Sequence, residues 1–333
     1  RRRGIAQWLS ADFLLGRPAL PNGEPSTFQL IRAGSTAFQN PVAPCGSLSP
    51  RPTTPMTSPH PPIQQKDRSM NLPLHIQLED VQNTPDKRCL IIDRVGIKSL
   101  RYPIFFQSDA DETPIRVVAD FNMYVKLPHD VKGTHMSRFI ELLETPDLVM
   151  STDSIGDFMK TMLSQLEADS GHLEMQFPFF IRKQAPVSGV SSMMDYDVTL
   201  IANLEETLSL KLKVAIPVTS LCPCSKKISE YGAHNQRSMI TVTAELNQII
   251  SLKSLIGQIE QQASSELYGL LKRPDEKYVT EYAYDNPKFV EDLVRDVAAS
   301  LNSCEAIVDY IIECENYESI HNHSAYAMLQ KSR

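Results

Sequence analysis

The sequence predicts an α+β protein of two tandem ββααββ modules, with antiparallel sheets and helices on one face. Several segments alternate strictly between apolar and polar residues, and helical apolar stripes lie between them. The order of strands, two helices and strands occurs twice, with roughly 120–130 residues per repeat. Antiparallel strands combined with helices gathered on one face define the α+β class.

Four segments show the alternation of a strand with one buried face. They cover residues 115–127, 173–181, 196–204 and 208–218, and a final strand is predicted near residues 306–314. Only Glu205, Glu206 and Thr207 separate the third segment from the fourth. A connection this short predicts a β-hairpin.

Helical spacing predicts helices over residues 136–143 and 155–166, with Thr134 as the N-cap of the first. Later in the chain an apolar stripe follows Ser251 and runs to Leu270, and another runs over residues 290–301. The segments 273–277 and 285–287 are predicted to flank a loop between these two late helices.

Composition and charge exclude several classes of function. The chain has 333 residues, 42% of them apolar and 22% charged, as in soluble globular proteins. It contains no run of eighteen apolar residues, so we expect no membrane partner. The net charge is −7, and the first 69 residues hold eight Lys/Arg against three Asp/Glu, which leaves −12 for the remainder. A body this acidic argues against nucleic-acid binding.

The first 69 residues differ in composition and periodicity from the rest of the chain. They hold eleven of the 23 prolines and show no sustained periodicity. We therefore predict that residues 1–69 are a disordered or non-native tail and that Met70 is the natural start. Residues 70–190 are then the first module, and residues 191–333 are the second, which carries most of the active site.

The cysteines indicate the compartment. Six cysteines in a chain of this length do not form the dense framework of a small secreted domain. We therefore expect buried thiols in a reduced, cytoplasmic setting.

The segment LCPCSKKISEYGAHNQRS holds the strongest chemical signal. Cys222 and Cys224 are separated by Pro223, and His234 follows ten residues after the second cysteine. Thiolate and imidazole are ligands that zinc prefers, and Gly232 indicates a special turn that swings the imidazole toward Cys222. In an extended C-x-C the two side chains point in opposite directions, so one thiol would bind metal while the other faces a second partner.

Two loop cysteines beside a surface histidine are the alternative interpretation of this segment. The C-x-C spacing disfavours a thioredoxin-like redox pair. A metal site needs at least a third protein ligand, and the local spacing does not identify it.

Two further sets of side chains are candidates for chemistry. His321 and His323 would lie on one face of a strand, where they suit joint contact with a substrate, although exposed histidines near a terminus are also common. Glu291 is predicted in the first turn of a helix next to its apolar stripe, from which its carboxylate is able to enter a pocket.

Several segments, in order, closely resemble the type IB GTP cyclohydrolase I family. Along the chain they are MNLPLHIQLEDVQ, DRVGIKSLRYPI, KGTHMSRFIELL, SLCPCSKKISEYGAHNQRS, KRPDEKYVTEYAYDNPKFVEDLVRDVA and ESIHNHSAYA. The resemblance covers about residues 70–330 and is far more specific than any single motif. The tail has no counterpart in it.

The resemblance implies a fold, an activity and an assembly. The fold is the tunnelling fold, here as two tandem modules, and the assembly is a homotetramer with active sites at subunit interfaces. The reaction converts GTP and water into 7,8-dihydroneopterin triphosphate and formate, which begins folate biosynthesis. A divalent metal is implied, with zinc favoured and manganese or iron also permitted by a Cys/His/Glu ligand set.

The resemblance also implies a role for each site residue. Cys222, His234 and Glu276 correspond to the metal ligands, and Cys224 to a second cysteine that contacts the substrate. Glu291 corresponds to the carboxylate that anchors the guanine edge, and His321 and His323 to catalytic histidines near the substrate. The candidates for binding the triphosphate are Lys226, Lys227, Arg237, Lys272 and Arg273.

Two other functions remain open at the level of sequence. One is a different tunnelling-fold enzyme acting on a purine or pterin, such as a nitrile reductase, which uses a cysteine nucleophile without this metal site. The other is a non-catalytic protein in which the segment forms a structural zinc clip, with four ligands and a closed shell.

Overall fold

The computed structural model describes residue 82, residues 84–109 and residues 111–331. The predicted tail of residues 1–69, the proposed start at Met70 and most of the segment MNLPLHIQLEDVQ lie outside them. No helix in the described part of the chain has the length and apolar content needed to cross a membrane.

Strands and helices alternate along the described chain. The elements are β1 (Ile92–Phe106), β2 (Ile115–Leu127), α1 (Met136–Leu143), β3 (Val149–Met150), α2 (Ile155–Leu166), β4 (Gly171–Gln184), β5 (Ser191–Leu204), β6 (Leu208–Leu221), α3 (Pro223–Ile228), β7 (Asn235–Leu246), α4 (Leu252–Glu260), β8 (Ser265–Glu266), α5 (Arg273–Asp285), α6 (Val290–Asn302), β9 (Ile307–Asn316) and β10 (Ala325–Lys331).

All of these strands join one sheet in the order β10-β9-β7-β6-β5-β4-β2-β1-β3, with β8 paired to β6. The pairs are antiparallel except β1 with β3. The predicted hairpin across residues 205–207 is confirmed, since β5 and β6 pair from Leu204↔Leu208 onward. The division into modules at residue 190 stays a prediction.

One face of the sheet is buried under the helices. In β2 the alternate residues from Val117 to Leu127 are buried, whereas Arg116 and Val118 are exposed. These side chains form a continuous apolar core with the stripes of α1, α2, α4 and α6. The predicted α+β class, with helices on one face of an antiparallel sheet, is therefore confirmed.

The helix ends differ in part from prediction. Helices α1 and α2 have the predicted bounds, but His135 rather than Thr134 is the N-cap of α1, and no side chain caps it. Ser251 does cap α4, because its side chain accepts a hydrogen bond from the Ser254 N–H at 3.2 Å. Helix α4 ends at Glu260, so the apolar residues beyond it belong to β8 and its flanking loops.

Helix α5 occupies the segment for which a loop was predicted. Its buried residues are only Asp275 and Ala283, so it lacks the apolar stripe on which the prediction of helices relied. Polar contacts hold its first turn instead. The Asp275 carboxylate accepts hydrogen bonds from the backbone N–H groups of Val187 and Ser188, both at 2.8 Å, in the β4–β5 turn. It also accepts one from its own N-cap, the Lys272 N–H.

A buried ionic cluster joins β4 and β5 to α4 and β8. The Lys183 ammonium lies 2.8 Å from both Glu260 oxygens and 2.7 Å from Glu266 Oε2. The Tyr196 hydroxyl donates to Glu260 at 2.8 Å. Side-chain exposure is only 9% for Lys183 and 4% for Glu260. Burial raises the pKa of Glu260 even with Lys183 beside it.

We expect Lys183→Met to lower the free energy of unfolding by about 3–5 kcal/mol, because it leaves buried carboxylates without their cation. Lys183 lowers the pKa of Glu260 against the effect of burial, so this pKa rises further in the folded variant. The folded variant then binds more protons than the folded wild type, and the deficit should shrink as the pH falls from about 8 to about 5. Urea unfolding at both pH values measures this.

The matched control is Lys211→Met, which breaks a half-exposed pair with Glu245 at 3.8 Å and should cost less than about 1 kcal/mol. Equal losses in the two variants would contradict a special role for the buried cluster.

Candidate metal and substrate site

Cys222 and His234 lie side by side where the β6–β7 ladder ends. The final pair of the ladder is Leu221↔Asn235. One residue further on, the Cys222 N–H donates to the His234 carbonyl at 3.1 Å. The long connection between the two strands thus begins with one candidate ligand and ends with the other, and the convergence predicted from their spacing is observed in the backbone.

Helix α3 fixes the position of the Cys222 thiol. Cys222 is its N-cap, in extended conformation, and its Sγ accepts from the Ser225 N–H at 3.4 Å. Pro223 is the first helical residue, where its missing N–H costs nothing. Cys224 therefore lies within a helix and is exposed, rather than in an extended C-x-C as the sequence suggested.

The turn before His234 requires glycine. Gly232 has a φ of +123°, a conformation that L side chains rarely adopt, which confirms the special turn predicted there. Beyond this turn the His234 N–H donates to Ser225 Oγ at 3.2 Å. Helix α3 and the histidine are thus tied together at Ser225.

The His234 ring is held through one nitrogen. Nδ1 lies 3.1 Å from Gln236 Oε1 and 3.3 Å from Ser319 Oγ. Imidazoles that bind metal commonly hydrogen-bond through one nitrogen and coordinate through the other. The thiol, the imidazole and this contact to Nδ1 therefore fit a divalent cation of the zinc type.

The loop between β9 and β10 brings two more histidines to this end of the sheet. Ser319, which contacts His234, precedes His321 and His323 in this loop. The two imidazoles are exposed and stacked, with ring centroids 5.2 Å apart and an interplanar angle of 18°. The prediction that they share a strand face is wrong, but they do lie on a segment that contacts the candidate metal pair.

The α5–α6 connection also reaches the site. The Lys288 N–H donates to the Leu221 carbonyl at 3.0 Å. Glu291 follows in the first turn of α6 and is exposed. The backbone of Glu291, the predicted guanine-binding residue, therefore lies near the same end of the sheet as Cys222.

The candidate phosphate-binding cations differ in their surroundings. Lys226 donates to the Tyr284 carbonyl at the end of α5, and its Nζ lies 4.3 Å from the centroid of the Tyr284 ring. Arg237, in β7, is exposed. Its carbonyl accepts from the Tyr317 N–H at 3.0 Å, which ties β7 to the loop that carries the two histidines.

Glu276 is not brought to Cys222 and His234 within one chain. In the described part of the chain no group of three His, Cys, Asp or Glu side chains is placed to hold a metal ion. Glu276 lies near the start of α5, whereas Tyr284 at the end of α5 contacts Lys226. Eight residues of helix separate them, or about 12 Å. Within the described part of one chain, Glu276 therefore does not complete a three-ligand group with Cys222 and His234.

Sequence reasoning missed three residues that build this site: Ser220, Gln236 and Ser319. Ser220 and Gln236 are buried polar residues in the alternating buried series of β6 and β7, which is apolar at Val218 and at Ile240. This break in the alternation of β6 and β7 is a signal that the sequence does contain.

The geometry defines an α+β protein with a cysteine–histidine pair at one end of its sheet. A sequence profile described as type I GTP cyclohydrolase folE2 matches residues 78–327. The chain therefore belongs to the type I GTP cyclohydrolase FolE2 family.

Relatives that match over nearly their whole length carry the same description. The GTP cyclohydrolase FolE2 of Methylobacillus flagellatus is 57% identical over 265 residues, which cover 79% of this chain and 99% of that protein. The GTP cyclohydrolase FolE2 of Herminiimonas arsenicoxydans is 58% identical over 257 residues, covering 77% and 98%. Among solved structures, the uricase of Arthrobacter globiformis aligns with a TM-score of 0.41 and 9% identity over 72% of this chain and 95% of that one, a likeness too weak to carry a conclusion.

We expect Cys222→Ser to leave α3 folded and to weaken zinc binding at least about tenfold, because serine caps helices well but is a poor zinc ligand. Competition with a chromophoric chelator measures the affinity, and circular dichroism measures the fold. Cys304→Ser, at a cysteine remote from α3 in sequence and next to α6, is the control. Unchanged affinity in Cys222→Ser would remove Cys222 from the ligand set.

Proposed function

We propose that this chain is a GTP cyclohydrolase I that hydrolyses the imidazole ring of guanine in GTP, giving 7,8-dihydroneopterin triphosphate and formate. The observation that carries the proposal is the family match over residues 78–327, which includes the Cys222–His234 pair at the end of the sheet. The folate pathway is the proposed setting, and the free thiols of the described cysteines support a reducing, cytoplasmic compartment.

The proposed metal site uses Cys222 and His234 of one chain with Glu276 of the partner subunit. A thiolate and an imidazole favour zinc, while the carboxylate also permits manganese or iron. When bound, a cation with an open coordination position lowers the pKa of its water and supplies hydroxide at neutral pH. The contact at His234 Nδ1 supports this assignment, because it leaves Nε2 to face the ion.

The proposed roles of the surrounding residues follow from guanine chemistry. Glu291 accepts two parallel hydrogen bonds from the guanine N1–H and exocyclic amine, a pair of donors that adenine lacks. His321 and His323 move protons to and from the purine nitrogens as the ring opens, since imidazole titrates near neutral pH. Cys224, exposed beside Cys222, contacts the substrate.

We assign the triphosphate first to Arg237. Arg237 is exposed in β7, three residues after His234, whereas Lys226 is engaged by the Tyr284 carbonyl. A guanidinium also binds phosphate in a bidentate manner. Lys227 and, from the partner subunit, Lys272 and Arg273 are further candidates.

The proposed assembly is a homotetramer of chains that each carry two tunnelling modules, with active sites at the interfaces. The separation of Glu276 from the cysteine–histidine pair supports a shared site. Exposed apolar side chains near the pair support a partner surface: Ile228 is 82% exposed, Tyr231 98% and Ile320 64%.

Incubation of the protein with GTP and Zn²⁺ or Mn²⁺ tests the proposal. We expect a product that becomes a fluorescent pterin after oxidation, together with formate. Prior chelation should abolish turnover and leave the far-ultraviolet circular dichroism unchanged.

Two outcomes would favour the alternatives. Unfolding on chelation would indicate a structural zinc clip. A folded protein that is inert toward GTP with or without metal would favour another purine or pterin reaction that uses a cysteine nucleophile.

We expect Glu291→Gln to lower kcat/KM for GTP by about 10²–10³-fold, because an amide cannot accept both guanine donors. Metal content, measured by atomic absorption, should not change. Asp292→Asn is the matched control, since it removes a neighbouring charge and retains a capping oxygen for the Phe289 N–H. Wild-type kcat/KM in Glu291→Gln would reject the anchoring role.

A further inference from the structure

We propose that Gln236 is a positioning residue that fixes the tautomer of His234 and thereby decides which ring nitrogen faces the metal. The inference rests on the proposed role of His234 as a ligand. Gln236 itself touches neither the metal nor the substrate in this assignment, and it acts through the imidazole.

The contact belongs to a buried chain of hydrogen bonds. Gln236 Nε2 donates to Ser220 Oγ at 2.8 Å, and Ser238 Oγ donates to the same oxygen at 2.9 Å. Exposure is 7% for Gln236, 0% for Ser220 and 1% for Ser238. Water therefore cannot substitute for these partners, and the loss of one leaves a buried polar group unsatisfied.

The Gln236 amide has a defined orientation in the structure. Its NH₂ group lies at Ser220 Oγ and its carbonyl oxygen lies at His234 Nδ1. A carbonyl oxygen can only accept, so Nδ1 must carry the proton. A neutral imidazole then has its lone pair on Nε2, which is the nitrogen left to bind a cation.

The second neighbour of Nδ1 does not decide the tautomer. Ser319 Oγ lies 3.3 Å from Nδ1, but a hydroxyl both donates and accepts. Ser319 also belongs to the exposed β9–β10 loop, whereas Gln236 is fixed in a strand pair by its register opposite Ser220. Gln236, rather than Ser319, therefore determines which tautomer of His234 is favoured.

The inference also explains why Ser220 and Gln236 are polar although their strand positions are buried. Ser220 and Gln236 lie on the helix-covered face, where Val218 and Ile240 are fully buried. Buried polar groups in such positions are costly unless every one is satisfied. The hydrogen-bond chain satisfies them, and it ends at the one imidazole that needs a fixed orientation.

Zinc affinity in two variants tests the proposal by chelator competition. Gln236→Leu should bind Zn²⁺ about 10–100-fold more weakly, the usual cost of losing a partner of a metal-binding histidine. Gln236→Glu should stay within about threefold of wild type, because a carboxylate also accepts from Nδ1–H and forms the carboxylate–histidine arrangement.

The matched control is Gln258→Leu. It removes an amide that donates to the Ser300 carbonyl at 3.1 Å and to Ser300 Oγ at 2.8 Å, in α4 rather than at the site. Its zinc affinity should equal wild type, which separates a local effect from general destabilisation. Equal losses of affinity in Gln236→Leu and Gln258→Leu would overturn the proposal.

Nitrogen-15 NMR of the metal-free protein provides a readout that does not depend on metal affinity. Wild-type His234, assigned by comparison with His234→Ala, should show the Nδ1–H tautomer, and Gln236→Leu should lose that preference. An Nε2–H tautomer in the wild type would overturn the proposal.

Failure of the ligand assignment for His234 is distinguishable from failure of the positioning role of Gln236. Full zinc binding by His234→Ala would reject the ligand assignment in the proposed function. Loss of zinc in His234→Ala with wild-type affinity in Gln236→Leu would reject the positioning role alone.

Discussion

The buried face of the β6–β7 pair is the constraint on which both the core and the site depend. Antiparallel register places Ile216 opposite Ile240 and Ser220 opposite Gln236 on this face. The face is therefore apolar along most of the ladder and becomes polar on both strands at the same end. A rigid hydrophobic ladder thus terminates in a hydrogen-bonded layer directly beneath Cys222 and His234. Sites held by strands in this way are more precise than sites carried by loops alone.

Helix α5 is held to the domain by polar contacts at its two ends, because it has no apolar stripe to bury. Asp275 holds its first turn to the β4–β5 turn, and the Tyr284 carbonyl receives Lys226 at its end. Only Asp275 and Ala283 are buried, so the side chains between the two anchors point outward. An acidic residue such as Glu276 is consequently exposed on the surface of its own chain. This exposure is compatible with the shared metal site proposed above.

Sequence analysis succeeded where local periodicity determined the structure. The bounds of β2, α1 and α2 agree with prediction because burial on one face imposes a period of two or of about 3.6 residues. The approach of Cys222 to His234 was predictable because both flank one strand connection.

Other features depend on contacts between distant residues. Helix α5 is held by Asp275 through residues 87 and 88 positions away, so its own sequence gave no helical stripe. The histidines at 321 and 323 were placed on a strand because alternation cannot distinguish a strand from the loop that joins two strands. Whether Glu276 meets Cys222 and His234 depends on contacts that periodicity along one chain does not describe.

The distribution of charge explains how an acidic protein can accommodate a triphosphate. Some cations of the chain are paired with carboxylates, as in Lys183 with Glu260 and Lys277 with Glu281. Lys226 contacts a neutral carbonyl and a ring instead, and within the described residues neither Lys226 nor Arg237 forms an ion pair. In the function proposed above, a phosphate group that reaches Lys226 or Arg237 therefore displaces no carboxylate from either side chain, although the net charge of the chain is −7.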